Sequence, residues 1–426
     1  PVEIRDAYKH ITLKDLIAQS SAQRTASGTS ADPELKRDYM LDSIVNFFTR
    51  IFQSIGRFIG LAISAVLWPF VRTGQWYTER GWILRIVLGA ILLGIIGLYG
   101  YFFWTTQRWV NFNPDYATAY DLAARSSSTD RPATPQTGIV SSPEATTPAP
   151  GGGGAQTCRR SAIVDATADL VDFNVNQNAW ISSMLLYKLG LFGIDWDRTP
   201  FFDNKAAFQR GVNQAVRRTA VELVDTLGRV RGTSQIDSDL QSARGNLQFD
   251  ESTWYFGLSP FGPKTPTPSF YRASIKDLKA FNERLEKCEA VFDARGDNLL
   301  QFIDRVANDI GATSAILRDR SEKYNGGWFD TRADDRFWFA YGQLYGYYGI
   351  LTAARADFKD VIAQRGLTQL WSELENQLRA SLNIQPMIIS NGAESGWLMP
   401  SHLATMGFYV LRVRSNLVEI RLVLDR

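Results

Sequence analysis

The hydrophobic pattern changes most sharply at Ile86–Trp104, where nineteen residues follow one another without a charge. At 1.5 Å rise per residue, a helix of this length reaches about 30 Å, the hydrocarbon thickness of a bilayer. A buried helix of a soluble protein is the alternative, but such helices are rarely apolar on every side over five turns. The pattern therefore predicts one membrane-spanning helix, which we place at residues 83–104.

Aromatic and basic residues at the two ends of this helix indicate its orientation. Trp76, Tyr77 and Trp82 precede it and Trp104 and Trp109 close it, as in the aromatic belts of spanning helices. Lysine and arginine are retained on the cytoplasmic side of a membrane. They concentrate before or at the start of the span, at Arg57, Arg72, Arg80 and Arg85. We predict a single-pass protein with a cytoplasmic N-terminus; the C-terminal part would be periplasmic in a bacterial inner membrane and lumenal in a eukaryotic secretory membrane.

A second apolar pattern lies just upstream, in residues 39–72. Apolar residues recur there at three- and four-residue steps, and polar residues fill the opposite face of the first half. Such a helix lies in the interface plane, with its apolar side chains among the acyl chains and its arginines at the headgroups. Its second half is too short to cross a bilayer, and Pro69 should end or kink it. We predict an interfacial or re-entrant helix, with docking on a soluble partner as the alternative.

Two further segments are polar and carry no periodicity. Residues 1–38 are predicted to form a cytoplasmic tail, because they hold too few apolar side chains to order themselves. Residues 126–157 are rich in Pro, Ser, Thr and Gly, the composition of a flexible tether. The tether would either hold the following domain away from the membrane or loop out while that domain packs against the span.

Residues 158–426 show helical periodicity almost throughout, and almost no segment alternates as strands do. The pattern predicts an all-α periplasmic domain built from long antiparallel helices. We expect a helix boundary at Gly296 and Asp297, and we expect Asp203 or Asn204 to cap the helix that follows them. The main predicted helices are 206–230, 273–295, 298–323, 334–364, 368–383 and 402–424.

Three loops break the helical pattern and hold the unusual side chains: 193–204, 325–338 and 391–402. If they converge, Asp330, Asp335 and Glu394 would lie beside aromatic residues, as carboxylates do in carbohydrate and peptidoglycan sites. Helix capping by Asp334 and Ser401, with the tryptophans packed in the core, explains the same residues. We favour this second interpretation and keep the three carboxylates as candidate catalytic residues.

Other candidate chemistry is sparse. His10 and His402 are the only histidines and are predicted on opposite sides of the membrane, which excludes histidine-rich metal catalysis. We expect His402 to cap or pack a helix rather than act as a general base. Cys158 and Cys288 are the only cysteines; a disulfide between them is reasonable outside the cytoplasm, with two unpaired thiols as the alternative.

No motif assigns a reaction, a cofactor or a nucleic-acid partner. The chain shows no GxSxG, HExxH, Walker or GxGxxG context, and we expect no metal or cofactor. Its net charge of +2 is close to balance and gives no indication of nucleic-acid binding.

Two stretches carry a family resemblance, GWFDTRADDRFWFAYGQLYGYYGIL and NGAESGWLMPSHLATMGFYVLRVRSNLVEIRLVL. They resemble domain-of-unknown-function family 2333 (DUF2333), a group of bacterial inner-membrane proteins. The resemblance would cover the span and the region after the tether. It implies a proteobacterial single-span envelope protein with a helical periplasmic domain, and it implies no activity and no catalytic residues.

Two classes of function remain. The first is a non-catalytic scaffold or accessory subunit whose helices contact lipid and either another envelope protein or a second copy. Ala90, Gly94 and Gly97 support it, because they lie on one face of the span beside Tyr101, and small residues let another helix approach closely. The second is a periplasmic enzyme or binding protein that acts on cell-wall glycan or peptide through the loop carboxylates and aromatic residues. We favour the first class.

Overall fold

A computed structural model describes residues 33–120, 159–199, 201–229 and 235–426. These residues are mostly helical, with two short strands and one long apolar helix, which confirms the all-α class. The predicted tether and most of the predicted tail lie outside the described residues. The chain divides into two compact units, Pro1–Gly94 and Ile95–Arg426, whose boundary falls within the apolar helix.

The first unit contains helix α1, Pro33–Thr78, and the beginning of α2, Trp82–Gln107. We expected Pro69 to end or kink this helix. Helix α1 continues past Pro69, so the proline does not end it. Pro69 is exposed, and at such a position water satisfies the carbonyl that the missing N–H leaves unpaired. The described large apolar side chains of α1 are exposed, among them Phe47, Phe52, Phe58, Leu61 and Trp68.

Helix α2 is the one helix among the described residues that is long and apolar enough to cross a membrane. It includes the predicted span and continues to Gln107. Within α2, only Phe102 and Thr106 are buried. Helix formation over this stretch follows from its composition, since it holds no proline and its leucines and alanine favour helix.

The second unit begins in α2 and holds ten more α-helices within the described residues. They are α3 Ala162–Asp172, α4 Leu185–Leu189, α5 Asn204–Glu222, α6 Ser238–Leu247, α7 Thr267–Glu286, α8 Gly296–Lys323, α9 Ala333–Asp357, α10 Lys359–Gln364, α11 Thr368–Leu382 and α12 His402–Leu424. Strands β1, Phe256–Leu258, and β2, Phe261–Pro263, form an antiparallel hairpin in which Gly257 pairs with Gly262.

Most predicted helices are present, with shifted boundaries. Helix α7 ends at Glu286 rather than at 295, and Cys288 beyond it has φ 62°, a left-handed conformation that cannot continue a helix. Gly296 is therefore the first residue of α8 and not the last of α7. The predicted helix 334–364 is interrupted at Phe358, whose side chain is buried.

Helices α5 and α9 form the centre of the second unit and run in the same direction. Phe208 lies against Gly342, and Ala215, further along α5, lies against Gly346, further along α9. A Cβ atom on Gly342 would lie 2.1 Å from the carbonyl oxygen of Phe208, so only glycine allows this approach. The expectation of antiparallel long helices therefore does not extend to this pair.

Helix α8 runs opposite to both α9 and α12. Asp309 of α8 accepts hydrogen bonds from Gln343 Nε2 at 2.7 Å and from the Tyr347 hydroxyl at 2.6 Å, whereas Arg320, near the end of α8, pairs with Asp330 just before α9. The Ser321 hydroxyl at the end of α8 meets that of Ser401 before α12. The starts of α5, α9 and α12 and the end of α8 thus lie together, and we call this the loop end of the domain.

The segment after α2 is part of the domain core. The Trp109 ring packs on those of Phe208 and Trp338, so Trp109 is a core residue and not part of an aromatic belt. The Tyr116 hydroxyl donates to the Tyr345 carbonyl at 2.6 Å and accepts from the Gly349 N–H at 2.9 Å. The folded unit therefore includes residues that precede the tether, not only residues after 158.

Candidate functional site at the loop end

The loops 325–338 and 391–402 meet at the loop end through Asn391. Its backbone pairs with that of Gly327, and its side-chain amide donates to Asp330 Oδ2 at 2.8 Å. The Asp330 carboxylate also forms an ion pair with Arg320 and is almost entirely buried. These contacts occupy the carboxylate on both sides. Asp330 therefore holds the two loops together.

The other residues of loop 391–402 divide between structural contacts and solvent exposure. Ser401 caps α12 by accepting from the Ala404 N–H, as predicted. The His402 Nδ1 accepts from the Ser390 N–H at 2.9 Å, and burial lowers the pKa of His402, which fits a packing role. Glu394 is exposed and forms no hydrogen bond or ion pair with the described residues, so it does not converge with Asp330. Trp397 is 92% exposed, so the expectation that this tryptophan fills the core is wrong.

Loop 193–204 converges with the start of α9, where three carboxyl groups lie together. Asp203 is fully buried, and its carboxyl group faces that of Asp335. It precedes α5 but does not cap it with its side chain, contrary to the expectation, because the carboxylate lies beside those of Asp334 and Asp335. Asp334 is also buried, and it lies inside the first turn of α9 rather than at the N-cap position, which Arg332 occupies.

Burial and mutual repulsion raise the pKa values of two of these acids. Loss of solvent, followed by the charges of Asp335 and Asp334, raises the pKa of Asp203 to about 10. Burial and the Asp335 charge raise the pKa of Asp334 to about 7. Adjacent buried carboxyl groups cannot all ionise, so this cluster retains at least one proton at neutral pH. Chemically, it can accept or release a proton in the physiological range.

A cavity of about 350 Å³ adjoins this carboxyl cluster. Asp335 lies in its wall together with three arginines and three aromatic residues, so the cavity presents both charges and ring faces. Arg210 in this wall donates to the Tyr187 hydroxyl at 2.9 Å. The described residues contain no group of three His, Cys, Asp or Glu side chains placed to hold a metal ion. The charged and aromatic lining residues are Tyr187, Asp195, Trp196, Arg210, Arg332, Asp335, Arg336 and Phe339.

A buried lysine joins the start of α5 to the end of α2. The Nζ of Lys205 donates to the carbonyl oxygens of Thr105 at 3.0 Å and Arg108 at 2.7 Å. Those carbonyls lie at the negative end of the α2 dipole, which attracts a cation. Burial, with a smaller effect of the Arg108 charge, lowers the pKa of Lys205 to about 8. The end of the apolar helix is thereby fastened to the domain.

The sequence analysis did not identify Asp203 and Lys205 as functional residues, although the position of Lys205 in its helix was informative. A lysine in the first turn of a helix is unfavourable for the helix dipole, so its position at the second residue of α5 implies a partner elsewhere. The identity of that partner depends on the tertiary fold. The position of Asp203 was misleading, because an aspartate before a helix is an ordinary cap.

Comparison with known proteins identifies the family of this domain. A family model described as an uncharacterized protein conserved in bacteria (DUF2333) matches residues 156–325 and 318–426. The chain belongs to this family. The match begins after the span, so it does not extend over α2 as the resemblance implied. No curated protein and no solved structure matches the chain.

The DUF2333 domain covers one side of the last turns of α2 and leaves another side exposed. Phe102 packs on Trp196 at a centroid distance of 4.9 Å, and Tyr99 stacks on Phe192 at 5.1 Å. The predicted packing residues Gly97 and Tyr101 are exposed, and nothing lies within 4 Å of a Cβ placed on Gly97. In the first unit, Ala90 and Gly94 are likewise exposed.

Cys288 of the DUF2333 domain is disulfide-bonded. It lies in the segment that separates α7 from α8. Cys158, the partner expected from the sequence, lies outside the described residues. The pairing of Cys158 with Cys288 therefore stays a prediction.

Proposed function

We propose that this protein is a non-catalytic, single-span scaffold or accessory subunit of the bacterial inner membrane. Its N-terminus lies in the cytoplasm, and its DUF2333 domain lies in the periplasm. One observation carries the proposal: the last turns of the apolar helix are built into the domain through Lys205, Tyr99 and Phe102. A span fastened in this way holds the domain at a fixed position against the bilayer, which a scaffold requires and a flexible tether cannot give.

The three candidate carboxylates do not support an enzyme built from all three loops. Asp330 is neutralised by Arg320 and held by Asn391, while Glu394 is exposed and separate from it. Of the three candidates, Asp335 lies in the wall of the cavity described above. The positions of these carboxylates therefore favour a scaffold over an enzyme.

Helix α1 fits the interface beside the span. Its described large apolar side chains are exposed, and the guanidinium of Arg72 stacks on the Trp68 ring at 4.9 Å, as that of Arg80 does on Trp76 at 4.7 Å. Stacked arginine and tryptophan pairs suit the headgroup region, where one end of a side chain is wet and the other apolar. Because α1 runs without a break, an in-plane helix accounts for it better than a re-entrant one.

The partner contact is tested by photo-crosslinking in living cells. A photoreactive amino acid at Gly97 should give a specific adduct with another envelope protein or with a second copy of this chain. The same amino acid at Phe102, which the domain covers, should give none. Gly97→Leu should abolish recovery of the same partner, whereas Leu98→Ala should retain it. Adducts with lipid alone at position 97 would overturn the partner contact.

The orientation is tested by fusing alkaline phosphatase to either end of the chain. This enzyme is active only outside the cytoplasm, where its disulfides form. The C-terminal fusion should be active and the N-terminal fusion inactive. The reverse result would place the DUF2333 domain in the cytoplasm.

A second candidate function, binding or hydrolysis of cell-wall glycan or peptide, is favoured by the cavity beside Asp335. Perturbed carboxyl groups beside a cavity are typical of functional sites. Asp335→Asn and Arg210→Gln should then abolish the cellular phenotype of the protein while its amount in the membrane stays unchanged. Glu394→Gln is the matched control. Wild-type behaviour of both cavity variants would leave the scaffold as the supported function.

A further inference from the structure

An apolar turn of the domain lies against α2 at a depth that the proposed span places inside the bilayer. The turn is residues 189–194, LGLFGI, which we call the tip loop. The tip loop contacts Tyr99, which lies within the uncharged run of α2. Tyr99 precedes Trp104, the last residue of that run, by about 7 Å along the helix axis. A segment that touches this position cannot lie wholly in water if α2 spans the membrane.

Three apolar side chains of the tip loop are exposed, while Leu191 packs on the cluster around Phe102 and Trp196. Phe192 is 79% exposed, and Leu189 and Ile194 are each 55% exposed. All six residues are apolar or glycine, and charges begin immediately outside the loop, at Lys188 and Asp195. A compact apolar cluster bounded by charges is the composition of a membrane-inserted tip.

Several backbone groups of the tip loop are hydrogen-bonded, which lowers the cost of placing the loop in hydrocarbon. Leu191 and Ile194 exchange two backbone hydrogen bonds, of 2.8 and 3.1 Å. The Tyr99 hydroxyl donates to the Gly190 carbonyl at 3.2 Å and accepts from the Phe192 N–H at 3.4 Å. Unpaired backbone groups cost several kcal/mol in lipid, so a loop there needs internal partners of this kind.

The backbone conformation of the turn is strained at Phe192. Phe192 has φ 52° and Gly193 has φ 91°, so a bulky aromatic residue is held in the left-handed region at the tip. Strained residues of this kind occur where the exposed side chain has a role. Here the strain directs a phenylalanine outward beside the span.

We propose that the tip loop inserts its apolar side chains into the outer leaflet of the bilayer next to α2. The inference rests on the proposed function, because it requires α2 to span the membrane. The partner is the acyl region of the lipids. Together with Lys205, the inserted tip prevents the domain from turning about the axis of the span, since the domain then contacts the bilayer at a second point.

The test is the depth of a spin label in vesicles of phosphatidylethanolamine and phosphatidylglycerol that hold the full chain. Labels are placed by Phe192→Cys, by Leu98→Cys on the exposed face of α2, and by Ile236→Cys, an exposed position before α6. Labelling is done without reductant, because Cys288 is disulfide-bonded. If Phe192→Cys does not fold, Ile194→Cys reports on the same loop.

The expected result is a several-fold higher ratio of oxygen to nickel-complex accessibility at positions 192 and 98 than at position 236. A lipid-like ratio at position 98 with a water-like ratio at position 192 overturns the inserted tip and leaves the span intact. A water-like ratio at position 98 overturns the span itself and, with it, this inference.

Discussion

The ammonium group of Lys205 lies 2.7 Å from the carbonyl oxygen of Arg108, at the C-terminal end of the apolar helix. The two residues belong to different helices, and their contact fastens the start of α5 to the end of α2. We call this contact the joint between α2 and α5. The carbonyl oxygens of Thr105 and Arg108 are partly buried there, so removing the ammonium group of Lys205 should lower the free energy of unfolding.

Lys205→Met should destabilise the joint by about 2 kcal/mol, the usual cost of losing hydrogen bonds to a charged group. Thermal unfolding of the protein in nanodiscs measures this. Lys279→Met, at an exposed position of α7, is the matched control and should leave the midpoint unchanged. Equal midpoints for both variants would contradict the proposed joint.

Asp203→Asn should make stability less dependent on pH. The folded-state pKa of Asp203 is raised to about 10, so the folded chain holds a proton that the unfolded chain releases above about pH 4. The stability from this proton is complete below the unfolded pKa and is lost as the pH rises towards 10, by up to about 1.4 kcal/mol per pH unit.

Denaturant unfolding at pH 5 and pH 8 tests that difference. Wild type should lose more stability than Asp203→Asn between the two values, and the variant should be the more stable protein at pH 8. Asparagine resembles the protonated carboxyl group in shape, so packing is preserved. A parallel decline in the two proteins would show that Asp203 does not hold the proton.

Asp330→Asn, unlike Asp203→Asn at pH 8, should destabilise the protein, by about 3 kcal/mol. It leaves Arg320 without its ion-pair partner in a largely buried site, and removal of one member of such a pair is costly. Glu394→Gln, at an exposed carboxylate in the facing loop, should change stability by less than about 0.5 kcal/mol. Chemical denaturation at pH 7 compares the two.

Gly342→Ala should destabilise the second unit by several kcal/mol or prevent its folding, because α5 and α9 would have to move apart. A Cβ atom on Gly342 would lie 2.1 Å from backbone oxygen. Gly245→Ala in α6 has open space around the same atom and should stabilise by about 0.5 to 1 kcal/mol. Loss of stability in both variants would indicate that close packing is not the cause.

The predicted disulfide is tested by counting thiols in the denatured protein without reductant. None should react, and peptide mass spectrometry should recover Cys158 joined to Cys288. Reduction should lower the free energy of unfolding by roughly 4 to 5 kcal/mol, since the bond closes a long loop. Two reactive thiols in the unreduced chain would contradict the pairing.

Helix positions were largely predictable from the sequence, and the errors have local causes. Helices α8, α11 and α12 lie close to their predicted bounds because their apolar residues repeat at helical spacing. Helix α7 ended early because Cys288 adopts a left-handed conformation, which no periodicity reveals. The direction of α5 relative to α9 was also hidden, since a close approach at glycines has no signature within a single helix.

The candidate site was predicted only in part. Two of the three loops do converge through Asn391 and Asp330, but this contact serves the fold. The carboxyl cluster depends on Asp203, which reads as an ordinary cap in the sequence. Its burial arises only when the start of α5 packs beside the start of α9.

The sequence by itself determined the apolar helix, the helical class of the domain and the absence of a recognisable catalytic motif, because each of these depends on residues close together in the chain. Tertiary structure alone decided that the end of this helix belongs to the domain core and that Lys205 meets Arg108. It also decided that Phe192 is held outward beside Tyr99. These relationships join residues about a hundred positions apart, and only the packing of whole helices brings such residues together.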